Sequence, residues 1–227
     1  MSRSESFIDV AGYVGKAIKA FRRTEPVLIR GLGDQEAETD IVYPAAAVTT
    51  EDIERFRTDT GGRIRVALPD SAVTVLEDTL PTGEDTDASR GTTGAAGDGD
   101  CIRPSFSVTA TRRNCRTSVT DQDRVSTITA LAAAADDPQS SDFEANFHTP
   151  GCVDVLRAVP GLLPERQDSP ELSLALAETA GHPPATVICR MRDDEIEAPL
   201  PEKDVRTYAQ ERGLAYIEAR ELSMVLR

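Results

Sequence analysis

Tryptophan is absent from the chain, and phenylalanine and tyrosine together supply only 4% of its 227 residues. Lysine is also scarce, with three residues among 25 Lys plus Arg. No apolar run comes near the roughly 20 residues that a helix needs to cross a bilayer. Arg3, Glu5 and Asp9 interrupt the opening segment, where a signal peptide would be continuously apolar. These absences predict a cytoplasmic protein with no membrane partner.

Residues that bind zinc are few as well. The four cysteines are far apart and form no C-x-x-C pair, and the only histidines are His148 and His182. A zinc site and a disulfide framework are therefore not expected. Each cysteine is predicted to be a small buried hydrophobe. His148 is predicted to be a surface histidine with its hydrogen bonds satisfied, and His182, between Gly181 and Pro183, a turn residue.

Negative charge, in contrast, is abundant. The 39 Asp plus Glu residues exceed the 25 Lys plus Arg residues and give a formal net charge of −14. On average, such a chain repels a phosphate backbone, so a nucleic-acid partner is not expected. The acid-rich, lysine-poor composition favours adaptation to concentrated salt, which screens charge repulsion. An ordinary acidic protein is the alternative.

Helical and strand patterns alternate along the chain. Apolar residues at helical spacing from Phe7 to Phe21 predict a first helix, and Thr50, Thr120 and Pro201 are placed to begin later ones. Short apolar runs predict strands at 27–29, 41–43, 64–68, 106–109, 186–189 and 214–217. Residues 31–40 are predicted to be an irregular loop, and residues 81–100 a loop or a disordered insert. We expect a single domain over 1–227, with a mixed β-sheet covered by helices.

Four carboxylates lie close together between two of the predicted strands. They are Asp34, Glu36, Glu38 and Asp40. A loop at the end of a strand can direct oxygen ligands at a hard cation such as Mg²⁺. In so acidic a chain, a solvated charged loop is the alternative interpretation.

The run GDQEAETDIVYPAAAVT, at residues 33–49, resembles the E-R-E-G-E-T-D loop of the 3,4-dihydroxy-2-butanone 4-phosphate synthases. Three further blocks resemble this family in the same order: TDTGGRIRVAL, SFSVTATRRNCRTSVTDQDRVSTI and FHTPGCVDVLRAVPGLLPERQDSPELSLALAETAG. The resemblance implies a layered α+β domain and a homodimer with active sites near the subunit interface. It also implies a magnesium-dependent reaction of riboflavin biosynthesis, which converts ribulose 5-phosphate to 3,4-dihydroxy-2-butanone 4-phosphate and formate.

Several residues match the family motifs. By this resemblance, Glu36 is the metal-binding glutamate, Glu38 a catalytic carboxylate and Asp40 a substrate-binding one. Thr117 and Arg166 likewise fall on family positions that bind substrate. The framework of a sugar-phosphate site is therefore expected to be present.

Five other positions depart from the family pattern, and one of them is Arg65, which stands in place of a family cysteine. Gln35 replaces an arginine, and Ser169 stands where the family has its second metal ligand, a histidine. Cys152 replaces an essential histidine, and Arg190 replaces a catalytic glutamate. A hydroxyl is a poor substitute for imidazole as a metal ligand, and arginine cannot accept a proton at ordinary pH.

These departures predict a family protein with reduced or lost catalysis, which needs Mg²⁺ only if it is active. The alternative is a non-catalytic protein that binds a sugar phosphate or pairs with an active paralogue in a heterodimer. In the binding version, Arg65, Arg166 and Arg190 converge on an anion. New chemistry with Cys152 as a nucleophile is a third hypothesis.

Overall fold

The computed structural model describes residues 3–32, 35–60, 63–79, 105–115, 120–193 and 198–226. The predicted insert at 81–100 lies outside these ranges. The helices are α1 (Arg3–Arg22), α2 (Thr50–Thr60), α3 (Asp70–Thr79), α4 (Asp121–Asp136), α5 (Phe143–Asn146), α6 (Ser169–Ala180), α7 (Glu202–Arg212) and α8 (Ala219–Leu226). The strands are β1 (Val27–Leu32), β2 (Gln35–Pro44), β3 (Ile64–Leu68), β4 (Ser105–Arg112), β5 (Phe147–Arg157), β6 (Thr186–Arg190), β7 (Arg192–Asp193), β8 (Ala198–Pro199) and β9 (Ala215–Glu218).

Seven of these strands form one mixed sheet, in the order β4-β5-β3-β6-β2-β1-β9. The pairs β1–β9 and β3–β5 are parallel, and the other neighbouring pairs are antiparallel. The short strands β7 and β8 form a separate antiparallel pair. The predicted mixed sheet covered by helices is confirmed.

Helices cover both faces of this sheet, because its strands carry apolar side chains on both sides. On one face, α2, α3, α4, α5 and α7 pack in the larger core, which includes Phe56, Leu131 and Val187. On the other face, α1, α6 and α8 pack in a second core around Phe21 and Leu176. Helix α6 also covers the middle of the sheet and is buried along most of its length.

The prediction of an irregular loop at 31–40 was wrong. Residues 35–40 belong to β2, which pairs with β1 on one side and with β6 on the other. Acidic residues are unusual in a central strand. Here two of them, Glu38 and Asp40, form ion pairs with Arg190 of β6.

In the described part of the chain, no helix is both long enough and apolar enough to span a bilayer.

Candidate functional site

Two neighbouring strands and the first residue of a helix meet at the candidate site. In the antiparallel register of β2 and β6, Asp40 lies directly opposite Arg190. Helix α6 begins at Ser169 and packs against this face of the sheet. The structure therefore brings together residues that are 129 and 150 positions apart in the sequence.

Arg190 joins the two carboxylates of β2. Its Nε donates a hydrogen bond to Oδ1 of Asp40 at 3.2 Å, and its Nη1 forms an ion pair with Oε2 of Glu38. The hydroxyl of Ser169 donates to the other oxygen of Asp40, Oδ2. We call Glu38, Asp40, Ser169 and Arg190 the Arg190 cluster. Arg190 and Ser169, to which the sequence gave different roles, thus share one carboxylate, that of Asp40.

The Arg190 cluster is poorly accessible to water. The side chain of Asp40 is completely buried, that of Glu38 is 12% exposed and that of Arg190 is 24% exposed. Burial raises the pKa of Glu38, and the positive charge of Arg190 partly counters this effect. Burial acts to lower the pKa of Arg190, but Asp40 and Glu38 outweigh it and keep this pKa above its ordinary value. The arginine is therefore a permanent cation at any ordinary pH.

A second arginine, Arg65 on β3, lies near the cluster. Its positive charge opposes the rise in the pKa of Glu38, which burial nevertheless keeps above its ordinary value. The Nε of Arg65 is buried and has no hydrogen-bond partner among the described residues. Two arginines thus lie near the two carboxylates of the cluster, and one of them, Arg65, keeps an unused donor.

Cys152 lies toward the same end of the sheet as Arg190. Strand β3 lies between β5 and β6, and its Arg65 pairs with Asp154 of β5 and with Ile188 of β6. Cys152 is two residues before Asp154, and Arg190 is two residues after Ile188. Because β5 and β6 run in opposite directions, both steps lead to the same level of the sheet. The backbones at 152 and 190 are thus about two strand spacings apart, roughly 10 Å. Cys152 is half-buried and a free thiol.

Arg166 belongs to a neighbouring polar group. It forms an ion pair with Oε1 of Glu171 at 2.6 Å and donates to the carbonyl of Arg157 at 3.3 Å. Glu171 is completely buried in the first turn of α6, and its Oε1 also accepts the backbone N–H of Val159 at 2.9 Å. Arg166 thus connects the end of β5, through the carbonyl of Arg157, with Glu171 in the first turn of α6.

Sequence reasoning did not single out Glu171 as a site residue. An acidic residue two positions after the first residue of a helix is ordinary on a surface, so its type alone gave no signal. Its burial is what distinguishes it, and only the folded structure shows this.

Three predicted site residues have no described side chain. Gln35 and Glu36 belong to β2, but only their backbone is described. Thr117 is among residues 116–119, which lie outside the described ranges. Their roles stay predictions.

The two histidines lie in different places. His148 is in β5, opposite Thr111 of β4, and is half-buried. His182 follows Gly181, which ends α6 in a left-handed conformation. Its Nε2 is 2.8 Å from the carbonyl oxygen of Phe21. His182 was predicted to be a turn residue, and it directly follows the end of α6.

The described residues of the cluster do not fit a divalent metal ion. Both oxygens of Asp40 already accept hydrogen bonds, from Arg190 and Ser169, and Oε2 of Glu38 is paired with Arg190. Ser169 offers a hydroxyl where a metal would favour imidazole or carboxylate. Within the described ranges, no group of three or more His, Cys, Asp or Glu side chains could hold a metal.

Its mixed sheet between two helical layers places the chain in the α+β class. The arginine–carboxylate cluster lies where the buried helix α6 begins. The sequence model described as 3,4-dihydroxy-2-butanone 4-phosphate synthase matches residues 15–225. The chain therefore belongs to the 3,4-dihydroxy-2-butanone 4-phosphate synthase family, as its motifs predicted.

Individual relatives agree with this assignment. The synthase of Methanosarcina mazei is 37% identical, over 92% of this chain and 89% of the relative. The synthase of Archaeoglobus fulgidus is 37% identical, over 90% of each chain. The solved structure of the Candida albicans synthase has a TM-score of 0.73 at 25% identity, covering 94% of this chain and 97% of its own. A synthase solved in complex with two magnesium ions shares the fold, with a TM-score of 0.72 at 24% identity over 92% and 94% of the two chains.

Proposed function

We propose that this chain is a riboflavin-pathway protein that binds ribulose 5-phosphate but converts it to 3,4-dihydroxy-2-butanone 4-phosphate and formate slowly or not at all. The observation that carries this proposal is the pairing of Arg190 with both Glu38 and Asp40. The family relationship supports the substrate class, and the arrangement of the site supports the loss of rate.

The loss of rate follows from proton chemistry. Enolisation and loss of formate need groups that accept and return protons, and such a group must be free and able to titrate. Arg190 does not titrate at ordinary pH, and it holds the carboxylates of Glu38 and Asp40 in ion pairs. Cys152 has one titrating site and cannot do what an imidazole does with two nitrogens.

Binding of the sugar phosphate draws on the arginines. The buried Nε of Arg65 has no hydrogen-bond partner among the described residues. Guanidinium groups suit phosphate because their N–H groups match its oxygens in pairs. Arg166, which was expected to join Arg65 and Arg190 at an anion, pairs with Glu171. Arg190 is likewise paired, with Glu38 and Asp40, so the proposal gives Arg65 the larger part in binding.

The family resemblance extends the proposal to assembly and location. We take the chain to form a homodimer in the cytoplasm, with the candidate site near the subunit interface. Magnesium enters only if the protein is active. The alternative is a catalytically inactive subunit that pairs with an active paralogue, and co-purification of a second, intact family member with the native protein would favour it.

A formate-release assay tests the proposal. The purified chain and the Methanosarcina mazei synthase are compared with ribulose 5-phosphate, Mg²⁺ and high salt. One missing acid–base group costs about 100-fold or more, so we expect the chain to be at least about 100-fold slower. Turnover within about ten-fold of the reference would contradict the proposal, provided that circular dichroism shows both proteins to be folded.

Binding is measured separately by calorimetry. Ribulose 5-phosphate is titrated into the chain with and without EDTA, and Arg65→Met is the comparison variant. We expect heat of binding in the wild type under both conditions and weaker binding in the variant. Absence of heat in the wild type under both conditions would remove the binding part of the proposal.

A further inference from the structure

A cleft opens between helix α1 and the turn that joins α7 to β9. Its volume of about 400 Å³ is in the range of clefts that hold small molecules. A smaller cleft of about 240 Å³ continues from it along α1, and the two share Lys16 and residues 213–215. We call both together the edge cleft, because β9 is an edge strand of the seven-stranded sheet. None of the residues that line it belongs to the Arg190 cluster.

Helix α1 presents three long side chains to the edge cleft or its rim. Tyr13, Lys16 and Lys19 follow one another at steps of three residues, so they lie along one side of the helix. A different side of α1, which includes Val14 and Phe21, packs in the second core. The fold therefore leaves the first three side chains exposed to solvent.

Unpaired positive charge is concentrated in the edge cleft. Lys16 and Lys19 are two of only three lysines in a chain with a net charge of −14. Within the described part of the chain, neither lysine forms an ion pair, whereas the neighbouring Arg23 is paired with Glu25 at 2.7 Å. Like charges three residues apart on a helix repel each other. A bound anion would relieve this repulsion.

The arginine on the other wall of the edge cleft is matched by carboxylates. Arg206 pairs with Glu202 at 2.7 Å and with Glu218 at 3.6 Å, and Glu202 also pairs with Arg30 at 3.7 Å. Two arginines and two carboxylates thus form a neutral group. The surplus positive charge among the lining residues and their ion-pair partners is therefore that of the two lysines.

Aromatic rings lie beside these cations. The Nζ atom of Lys16 is 5.4 Å from the centre of the Tyr13 ring, and the guanidinium carbon of Arg206 is 4.4 Å from the centre of the Tyr216 ring. Tyr13 is 51% exposed, so its ring is accessible to a ligand. An exposed ring next to an ammonium group suits a ligand that has both a planar ring and a negative charge.

We propose that the edge cleft binds a small molecule that carries both a phosphate group and an aromatic ring, as a nucleoside phosphate does. Lys16 and Lys19 bind the phosphate, since their Cβ atoms are about 5–6 Å apart and both ammonium groups can reach its oxygens. The aromatic ring of the ligand stacks on Tyr13. This binding site is separate from the candidate site and does not rest on the proposed function.

Calorimetry with AMP as the probe provides the test. Adenosine and inorganic phosphate each carry one half of the chemistry and are the comparison ligands. The titrations use the lowest KCl concentration at which circular dichroism shows the chain to be folded, because salt weakens the attraction of the lysines for phosphate. We expect one AMP to bind at least about ten-fold more tightly than adenosine or inorganic phosphate, since stacking and charge-assisted hydrogen bonds each contribute.

Four variants locate the binding. Lys16→Gln and Lys19→Gln should each weaken AMP binding about five-fold or more, because each loses a charge-assisted hydrogen bond. Tyr13→Leu should weaken the binding of AMP about five-fold but not that of inorganic phosphate. Arg113→Gln is the control. It removes one exposed positive charge directly after β4, at the opposite edge of the sheet, and should bind AMP as the wild type does.

Several outcomes would overturn the proposal. They are no heat with AMP in the folded wild type, equal AMP binding by all four variants, and inorganic phosphate binding as tightly as AMP. Displacement of AMP by ribulose 5-phosphate would place AMP at the candidate site and would overturn it too. If the chain does not bind ribulose 5-phosphate at all, the proposed function fails, but the four variants still decide whether the edge cleft binds AMP.

Discussion

At the scale of single residues, Arg190 sets the charge of the candidate site. The sequence shows an arginine where the family has a catalytic glutamate, and this residue type alone predicts the loss of a group that accepts protons. It could not predict that Arg190 would pair with both Glu38 and Asp40, because ion pairing depends on strand register. The contact of Ser169 with Asp40 is of the same kind.

Tyr208 offers a residue-scale prediction about pH. Burial raises its pKa to about 12, and its hydroxyl also donates to Oδ2 of Asp59 at 3.0 Å. In the unfolded chain a tyrosine titrates near 10. Folding therefore favours the protonated phenol, and this contribution to stability is full below pH 10 and is lost as the pH rises to about 12.

Asp59→Asn is expected to lower the pKa of Tyr208 toward 10 without reaching it, because burial remains. Tyrosinate absorbance measures this titration, and Tyr208→Phe identifies the signal. Asp59 also forms an ion pair with Arg212 at 2.9 Å. Arg212→Gln breaks that pair but leaves the acceptor, so it is the control and should not lower the pKa. An unchanged pKa in Asp59→Asn would show that the negative charge of Asp59 has no influence on Tyr208, since the asparagine oxygen can still accept the hydrogen bond.

At the scale of elements, local signals predicted helix ends well. Thr120 precedes α4, and its hydroxyl accepts the backbone N–H of Asp123. Gly213 ends α7 in the left-handed conformation that glycine adopts without strain. Such caps depend on three or four neighbouring residues, so sequence is sufficient. Strand β2 was mistaken for a loop because its partners β1 and β6 determine its conformation.

Gly151 carries a prediction about the contact between β4 and β5. A Cβ at this position would lie 2.1 Å from the carbonyl carbon of Ala110. The N–H of Gly151 also donates to the hydroxyl of Thr109 at 2.8 Å. Gly151→Ala must therefore push the two backbones apart, and we expect the free energy of unfolding to fall by about 2 kcal/mol or more.

Gly15→Ala, in α1, is the matched control, since no heavy atom beyond its neighbours and the helix's own backbone lies within 4 Å of its added Cβ. Alanine in a helix should raise the free energy of unfolding by about 0.5–1 kcal/mol. Urea denaturation of both variants measures the difference. Similar stabilities for the two would mean that β4 and β5 can separate at little cost.

At the scale of the whole molecule, the main feature is the large negative net charge. A net charge of −14 with only three lysines destabilises the compact state by self-repulsion in dilute buffer. We expect the urea midpoint to rise between about 0.1 M and about 2 M KCl, as the screening length falls from roughly 10 Å to below 3 Å.

A charge variant separates screening from other effects of salt. Glu54, Glu144 and Glu178 are exposed, and exchanging all three for lysine moves the net charge from −14 to −8. The variant should be more stable in dilute buffer and less dependent on KCl than the wild type. The same salt response in both proteins would favour an ordinary acidic protein over salt adaptation.

The sequence by itself determined the family, the layered fold and the identity of every replaced residue, because motifs, periodicity and side-chain chemistry are properties of short segments. The tertiary structure decided which charges meet. Arg190 reaches Glu38 and Asp40 across β2 and β6, and Ser169 reaches Asp40 from the start of α6. Such contacts depend on the register of the strands and on the position of the helix. Both are determined by which side chains the folded chain as a whole buries.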